Sequence, residues 1–300
     1  MPDEPPARSA ERGPGRARRL TSPRSARAAL PDEPLPQNVG MTPAEIESIE
    51  RATLEAVSPE ALEEIPGWLL PFDRGTVGRA KSAVPVAHTA PEAAVLRKIE
   101  ARYALRGLPA VFRIPAAQTY QAFSGELVRR GFSSGKPTQV LTAATANVQQ
   151  VSGGPEAEID LQPDDGWASV FLGEGFDPVD GASRVRTLSR ARGALYASVR
   201  EQGVTVAVGA AAFGHGWASV HGMRTAQSCR GRGLAARVLA SLAAAASLKG
   251  YERMFLQVEA QNAAAHALYR RAGFEPAWTY AYWLRPEQRH APRHVGGFPG

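Results

Sequence analysis

Hydrophobic residues recur along the first half of the chain with two spacings. Around Ala44–Ala56 and Pro91–Leu105 they follow a helical pattern, in the second stretch with Ala94, Leu96, Ile99 and Tyr103 among the apolar positions of an amphipathic helix. Thr42-Pro43-Ala44-Glu45 opens the first of these with a capping box and a proline at its first position, which also makes Met41 an alternative start. Gly67–Phe72, Lys81–Ala87, Ala110–Ile114 and Thr138–Ala143 read as strands, and Thr119–Arg130 as a further helix. Residues 146–157, rich in Asn, Gln, Ser, Gly and Pro, read as a linker.

The second half opens with a short strand at Glu158–Leu161 and helical stretches around Gly166–Gly173 and Ala182–Arg192. Ala194–Glu201, Val204–Phe213 and Trp217–Thr225 then predict an antiparallel meander, because Gln202-Gly203 and Gly214-His215-Gly216 supply the glycine that tight hairpins need. Helix Leu234–Leu248, strand Met254–Glu259, helix Ala263–Arg271 and strand Trp278–Leu284 complete the pattern. The sum is an α/β protein.

An internal repeat runs across both halves. Gly107 is followed five residues on by Phe112, and after a helix by Leu127-Val-Arg-Arg-Gly131-Phe132. Gly250 is likewise followed by Phe255, and after a helix by Tyr269-Arg-Arg-Ala-Gly273-Phe274. One helix–strand–helix–strand unit therefore occurs twice. Leu127 stands in the first copy where Tyr269 stands in the second.

Composition narrows the function classes. The chain has 300 residues, enough for one large domain or two modest ones, and 44% hydrophobic content allows a sizeable core. Its net charge of +6 comes from arginines scattered along the chain, with no basic stripe interleaved with aromatics, so a nucleic-acid partner is not expected. The Arg-rich start of the chain keeps a nucleic-acid-associated role as a rival, marked by steeply salt-dependent DNA binding. Cys229 is the only cysteine, which excludes an intramolecular disulfide and a thiolate zinc site, and the six histidines lack metal-ligand spacing, so no metal is expected. No apolar run is long enough for a bilayer and no signal peptide is visible, so the expected setting is cytoplasmic, without a membrane partner. Residues 1–40 cannot bury enough surface to offset their ordering entropy and are expected to be disordered, as are residues 288–300.

Arg230-Gly-Arg-Gly-Leu-Ala235 carries the most chemistry. It stands between a strand and a long helix, and a helix start offers unpaired N–H groups and a dipole that favours negative charge. Gly231 and Gly233 let the backbone approach a ligand, and Arg230 and Arg232 add charge-assisted donors. The pattern suits a diphosphate, although Arg/Gly strings also arise by chance in an Arg-rich chain.

Three separated motifs resemble the GNAT superfamily of acyl-CoA-dependent N-acetyltransferases: Arg230–Ala235, Leu256-Gln-Val-Glu-Ala-Gln-Asn262, and Ala267-Leu-Tyr-Arg-Arg-Ala-Gly-Phe274. The resemblance covers roughly residues 155–286, and the two-copy arrangement is similar to actinobacterial proteins related to an N-acetylglutamate synthase. It implies a mixed, mostly antiparallel sheet flanked by helices, with a catalytic domain at 158–287 and a degenerate module at 41–145 that has lost the phosphate cradle. It further implies acetyl-CoA as cosubstrate, its pyrophosphate on Arg230, Gly231, Arg232, Gly233, Leu234 and Ala235, and its pantetheine arm along Met223, Arg224 and Thr225. The N–H near Met223 would polarise the thioester carbonyl, and the Asn262 amide would reach the cofactor. Tyr269 matches the general acid that protonates the leaving thiolate, the alternative being simple packing as for Leu127. Glu259, His221 or a water chain would take the proton from the acceptor, while Cys229, beside the phosphate turn, is a bystander. The expected reaction is direct attack by a small-molecule amine or an amino acid in a ternary complex. A non-catalytic acyl-CoA sensor is the alternative.

Overall fold

The Thr42 capping box forms as its spacing predicts: the Thr42 hydroxyl accepts from the Glu45 N–H at 3.3 Å, and the Glu45 carboxylate accepts from the Thr42 N–H at 3.0 Å. It starts α1 (Pro43–Val57) in the computed structural model, which describes residues 40–286. Of the two tails, only Gly40 falls within the described residues; 1–39 and 288–300 lie outside them. After α1 come β1 (Ala61–Ile65), β2 (Trp68–Phe72), a 3-10 turn (Gly78–Ala80), β3 (Val84–Pro85), α2 (Ala94–Ala104), β4 (Phe112–Pro115), α3 (Gln121–Arg129) and β5 (Ser133–Ala144). Then follow α4 (Thr145–Gln149), β6 (Glu158–Asp160), α5 (Asp165–Leu172), α6 (Pro178–Ser189), β7 (Leu195–Glu201), β8 (Val204–Gly214) and β9 (Trp217–Thr225). A further 3-10 turn (Gln227–Cys229; another lies at Gln118–Tyr120), α7 (Leu234–Leu248), β10 (Arg253–Glu259), α8 (Ala263–Arg271) and β11 (Glu275–Leu284) end the described chain.

Strands β1, β2 and β3 make a small antiparallel sheet. The other eight form one sheet in the order β4-β11-β5-β10-β9-β8-β7-β6. Every neighbouring pair is antiparallel except β9 and β10, which run parallel over Ala218–Val220 and Met254–Leu256. The mixed, mostly antiparallel sheet flanked by helices is thus the architecture expected. Its order has a symmetry: exchanging β4 with β10 and β5 with β11 returns β4-β11-β5-β10 reversed. The last strand of each repeat unit lies within the other unit's span. The local turns match as well, since Phe132 N–H bonds Leu127 C=O and Phe274 N–H bonds Tyr269 C=O, each at 3.0 Å.

Alternation along β10 divides the core into two faces. Met254, Leu256 and Val258 pack with Val238, Leu239 and Leu242 of α7 and Tyr269 of α8. Phe255 packs on the opposite face with Ile46, Ile49 and Ala52 of α1 and with Trp217, Trp278 and Tyr280. Each such large side chain contributes about 1.5–3 kcal/mol on burial, so both faces are firmly held.

Three elements differ from the sequence pattern, each for a tertiary reason. Strand β1 was not expected, because Leu62, Glu63 and Glu64 are not apolar in alternation; salt bridges to Glu63 from Arg102 and Arg106 and to Glu64 from Arg51 secure it. Strand β5 begins five residues before Thr138, because Ser133, Ser134 and Gly135 pair with Leu284, Trp283 and Tyr282 of β11. The stretch expected as a linker opens with α4, whose Val148 is fully buried and whose Gln149 side chain donates to the Ala243 C=O of α7. No helix among the described residues is long and apolar enough to cross a membrane.

Candidate active site

Strands β9 and β10 pair only as far as Val220 and Leu256, then part. Beyond that point β9 stays on β8, through a bulge in which Ala210 faces His221 while Val208 faces Arg224. Two glycines build the bulge. Gly222 has φ +62, and a Cβ there would strike Leu188 at 2.7 Å; a Cβ on Gly209 would meet Met223 Sδ at 2.6 Å and Val238 at 2.8 Å. The bulge therefore directs Met223 toward α7 and leaves the edges of Met223, Arg224 and Thr225 without a ladder partner on β10. Glycine inside a strand was the available signal for it, and sequence reasoning passed over it.

The chain leaves β9 through the 3-10 turn containing Cys229 and reaches α7 by the Arg-Gly turn. Gly231 and Gly233 have φ +77 and +78, and nothing lies within 4 Å of where a Cβ would project. Leu234 is buried and pins the helix start to the core, whereas Gly231, Arg232 and Gly233 are exposed. Gly233 caps α7 without a side chain, and its first turn holds no acidic residue, so its N–H groups and dipole remain uncompensated beside Ala235. The two arginines differ. Arg232 is held in a double hydrogen bond by Glu201, at 2.8 and 2.9 Å. Arg230 makes no ion pair with any described residue and stands 5.7 Å from the Phe176 ring, which also stacks Arg224 at 4.0 Å. The group fits a diphosphate.

Tyr269 lies in the same core cluster as Leu234, with Met223 and Cys229 packed against it. Its ring meets Phe274 edge-on, its hydroxyl has no hydrogen bond to any described residue, and burial pushes the phenol up to about 12. It stays protonated at neutral pH. Leu127, its counterpart in the first repeat, is sealed among Phe123 and Phe132. Asn262 caps α8, its side-chain oxygen accepting from the Ala265 N–H at 3.1 Å. Glu259 ends β10 as an exposed residue.

His221 is buried on the opposite sheet face from Tyr269, immediately before the bulge. The single Ser219 hydroxyl proton goes to Ala212 C=O at 3.2 Å, so Ser219 Oγ accepts from His221 Nε2–H at 2.9 Å. Nδ1 is then the lone-pair nitrogen, and it is buried without a partner. Burial, and secondarily the Arg79 charge, lowers this histidine to about 3, so it is neutral at physiological pH. An unfolded histidine titrates near 6.5, and the unfolded chain takes the proton first as pH falls. Stability is therefore lost as pH drops from about 6.5 toward 3. His221→Gln should remove about 3 kcal/mol of the decline between pH 7 and 4 in urea titrations; an unchanged slope would contradict the assignment.

Around His221 the face carries charged and aromatic groups that sequence reasoning did not join: Glu50 on α1, Arg79 on the first 3-10 turn, Arg113 on β4, and Tyr280 and Tyr282 on β11. Glu50 and Arg113 form a buried ion pair at 2.6 Å, and Arg113 also faces the Tyr280 ring. Burial pushes the Glu50 carboxyl up against the pull of Arg113. Tyr280 donates to Gln257 Oε1, and the Gln257 amide donates to Thr53, both at 2.8 Å. Arg113→Met should cost about 3–5 kcal/mol, because it leaves Glu50 buried without its ion-pair partner, while adding Glu50→Leu should recover most of that loss. Chemical denaturation of the two variants checks this; equal stabilities would refute it. A cavity of about 490 Å³ lined by Trp68, Pro85, Lys98 and Tyr120 lies in the first half of the chain and includes none of these residues.

The family described as "Probable histone acetyltransferase Rv0428c C-terminal" matches residues 43–283. The protein described as uncharacterized N-acetyltransferase YobR, from Bacillus subtilis (strain 168), is 25% identical over 246 residues, covering 80% of this chain and 99% of that protein. Among solved structures, a GCN5-related N-acetyltransferase from Kribbella flavida superposes with a TM-score of 0.59 at 19% identity, over 80% of this chain and 95% of the other. A functionally unknown conserved protein from Staphylococcus epidermidis ATCC 12228 gives 0.57 at 10% identity, over 76% and 94%. These two show the fold alone. With the family match spanning most of the chain, the chain belongs to the Rv0428c C-terminal family and is a GNAT-family N-acetyltransferase.

Proposed function

We propose that the chain moves an acetyl group from acetyl-CoA to the amine of a small molecule or amino acid, by direct attack in a ternary complex. One observation carries this reading: the gap between β9 and β10 has an open helix start and a protonated phenol on one face, and an unpartnered imidazole nitrogen on the other. Arg230 and the N–H groups of Gly231–Ala235 would hold the pyrophosphate. The N–H of Met223 would donate to the thioester oxygen as it gains charge. The acceptor nitrogen forms its bond to the carbonyl carbon, the carbon–sulfur bond breaks, and Tyr269 gives its phenolic proton to the departing thiolate. The proton shed by the nitrogen as the new bond forms passes to His221 Nδ1. Of the two base candidates, Glu259 is exposed at the strand end, and the first contact is assigned to His221. Holding both reactants in the gap supplies much of the rate.

In this reading residues 158–287 form the catalytic part and residues 41–145 a degenerate module of the same plan. The sequence repeat and the symmetry of the strand order support it. A second reading rests on the family's description, which names histones: a lysine side chain is also a primary amine. The test is release of free coenzyme A thiol from acetyl-CoA with amines, amino acids and histone peptides, with products identified by mass spectrometry. Amine-dependent release is expected; binding of acetyl-CoA with no amine-dependent release would support a sensor instead.

A further inference from the structure

We infer that the acceptor carries a carboxylate, and that Arg79 binds it beside His221. The inference rests on the acetyl-transfer reading above. Arg79 sits on the 3-10 turn Gly78–Ala80, whose backbone lies against the Tyr282 ring so closely that a Cβ on Gly78 would be 2.9 Å from it. Its Nε is buried without a partner, and the side chain makes no hydrogen bond or ion pair with any described residue. Its charge acts on His221, Glu50 and Tyr282.

Arg113 is fully buried and ion-paired with Glu50 at 2.6 Å, so the one carboxyl of the cluster is already engaged. The cluster holds two guanidinium groups against one carboxyl, and its histidines, His221 and His88, are neutral at physiological pH. At least one positive charge is therefore in surplus, on the partly buried Arg79, and a charge withdrawn from water is costly unless paired. A planar monoanion that matches a guanidinium fork answers both the charge and the unpartnered Arg79 side chain, and a carboxylate is that group. A dianionic phosphate would reverse the imbalance, and a polycationic peptide would bring more charge of the same sign.

The position also serves the reaction. A carboxylate on Arg79 neutralises the charge that opposes protonation of His221, so arrival of the acceptor itself strengthens the base. An amine on the same small molecule would then lie near Nδ1.

The experiment compares matched sets of compounds as acceptors for the full chain with saturating acetyl-CoA: amino acids, their carboxamides, the corresponding decarboxylated amines, and a lysine-bearing histone peptide. Amino acids should exceed their carboxamides and amines by about 100-fold in kcat/KM. Arg79→Met should raise KM for the amino acid by a similar factor, with kcat and acetyl-CoA affinity little changed, and Arg79→Lys should fall between. Thermal unfolding of both variants checks that the fold is intact. Equal use of carboxamides or amines, preference for the peptide, or an unchanged KM in Arg79→Met overturns the inference while leaving acetyl transfer standing. No acetylation of any compound overturns both.

Discussion

Tyr269→Phe is expected to lower kcat for acetyl transfer by about 10²–10⁴-fold, the range over which a positioned general acid acts. Acetyl-CoA affinity and thermal stability should hardly change. The reason is local: the ring is fixed by packing with Leu234, Val238 and Phe274, while its hydroxyl bonds to no described residue, so removing the oxygen leaves the core intact. Burial keeps the phenol protonated, with its titration near 12, and the substituted enzyme should lose the alkaline limb that this group imposes on the rate. Steady-state kinetics from neutral to high pH, with calorimetric binding of acetyl-CoA in parallel, separates the roles. A variant that turns over normally would make Tyr269 a packing residue like Leu127.

Ala235→Glu should weaken acetyl-CoA binding at least 100-fold while leaving α7 as stable or slightly more so. Ala235 is the second residue of a helix whose first turn has no acid. A carboxylate there complements the helix dipole, worth about 0.3–1 kcal/mol to the helix. It also places negative charge where the pyrophosphate is proposed to sit, next to Arg230. Binding and stability thus move in opposite directions, which a general disruption of the fold would not produce. Titration of the variant with acetyl-CoA, together with its melting temperature, checks both; unchanged affinity would remove the cradle from the account.

The sequence made local chemistry legible and non-local assembly illegible. The bounds of α7 and α8 could be read because each is set by its own cap and apolar period: Gly233 and Asn262 precede runs of strong helix formers. The Arg-Gly turn was readable for the same reason. The sheet order was not, since insertion of β5 between β10 and β11 depends on pairings between residues more than a hundred positions apart. Nor was the early start of β5, whose polar Ser133–Gly135 become strand only by bonding to β11. The charged cluster was hidden more deeply. Glu50 reads as one more helix charge, Arg79 as a loop residue and Arg113 as a polar break in a strand, and only the fold brings them to one face. Likewise nothing local marks Glu201 as the partner of Arg232, which leaves Arg230 as the less committed of the two cradle arginines.

In the proposed two-copy reading both copies share one sheet, but the glycine turn that opens α7 has no counterpart in the first copy, where His88-Thr-Ala-Pro-Glu92 stands instead. The central claim is therefore one acyl-transfer centre per chain, at the parting of β9 and β10. Isothermal titration of the full chain with acetyl-CoA tests it most directly. A stoichiometry of one per chain, abolished by Ala235→Glu, is the predicted result; two sites per chain, or a single site that Ala235→Glu leaves untouched, would contradict it.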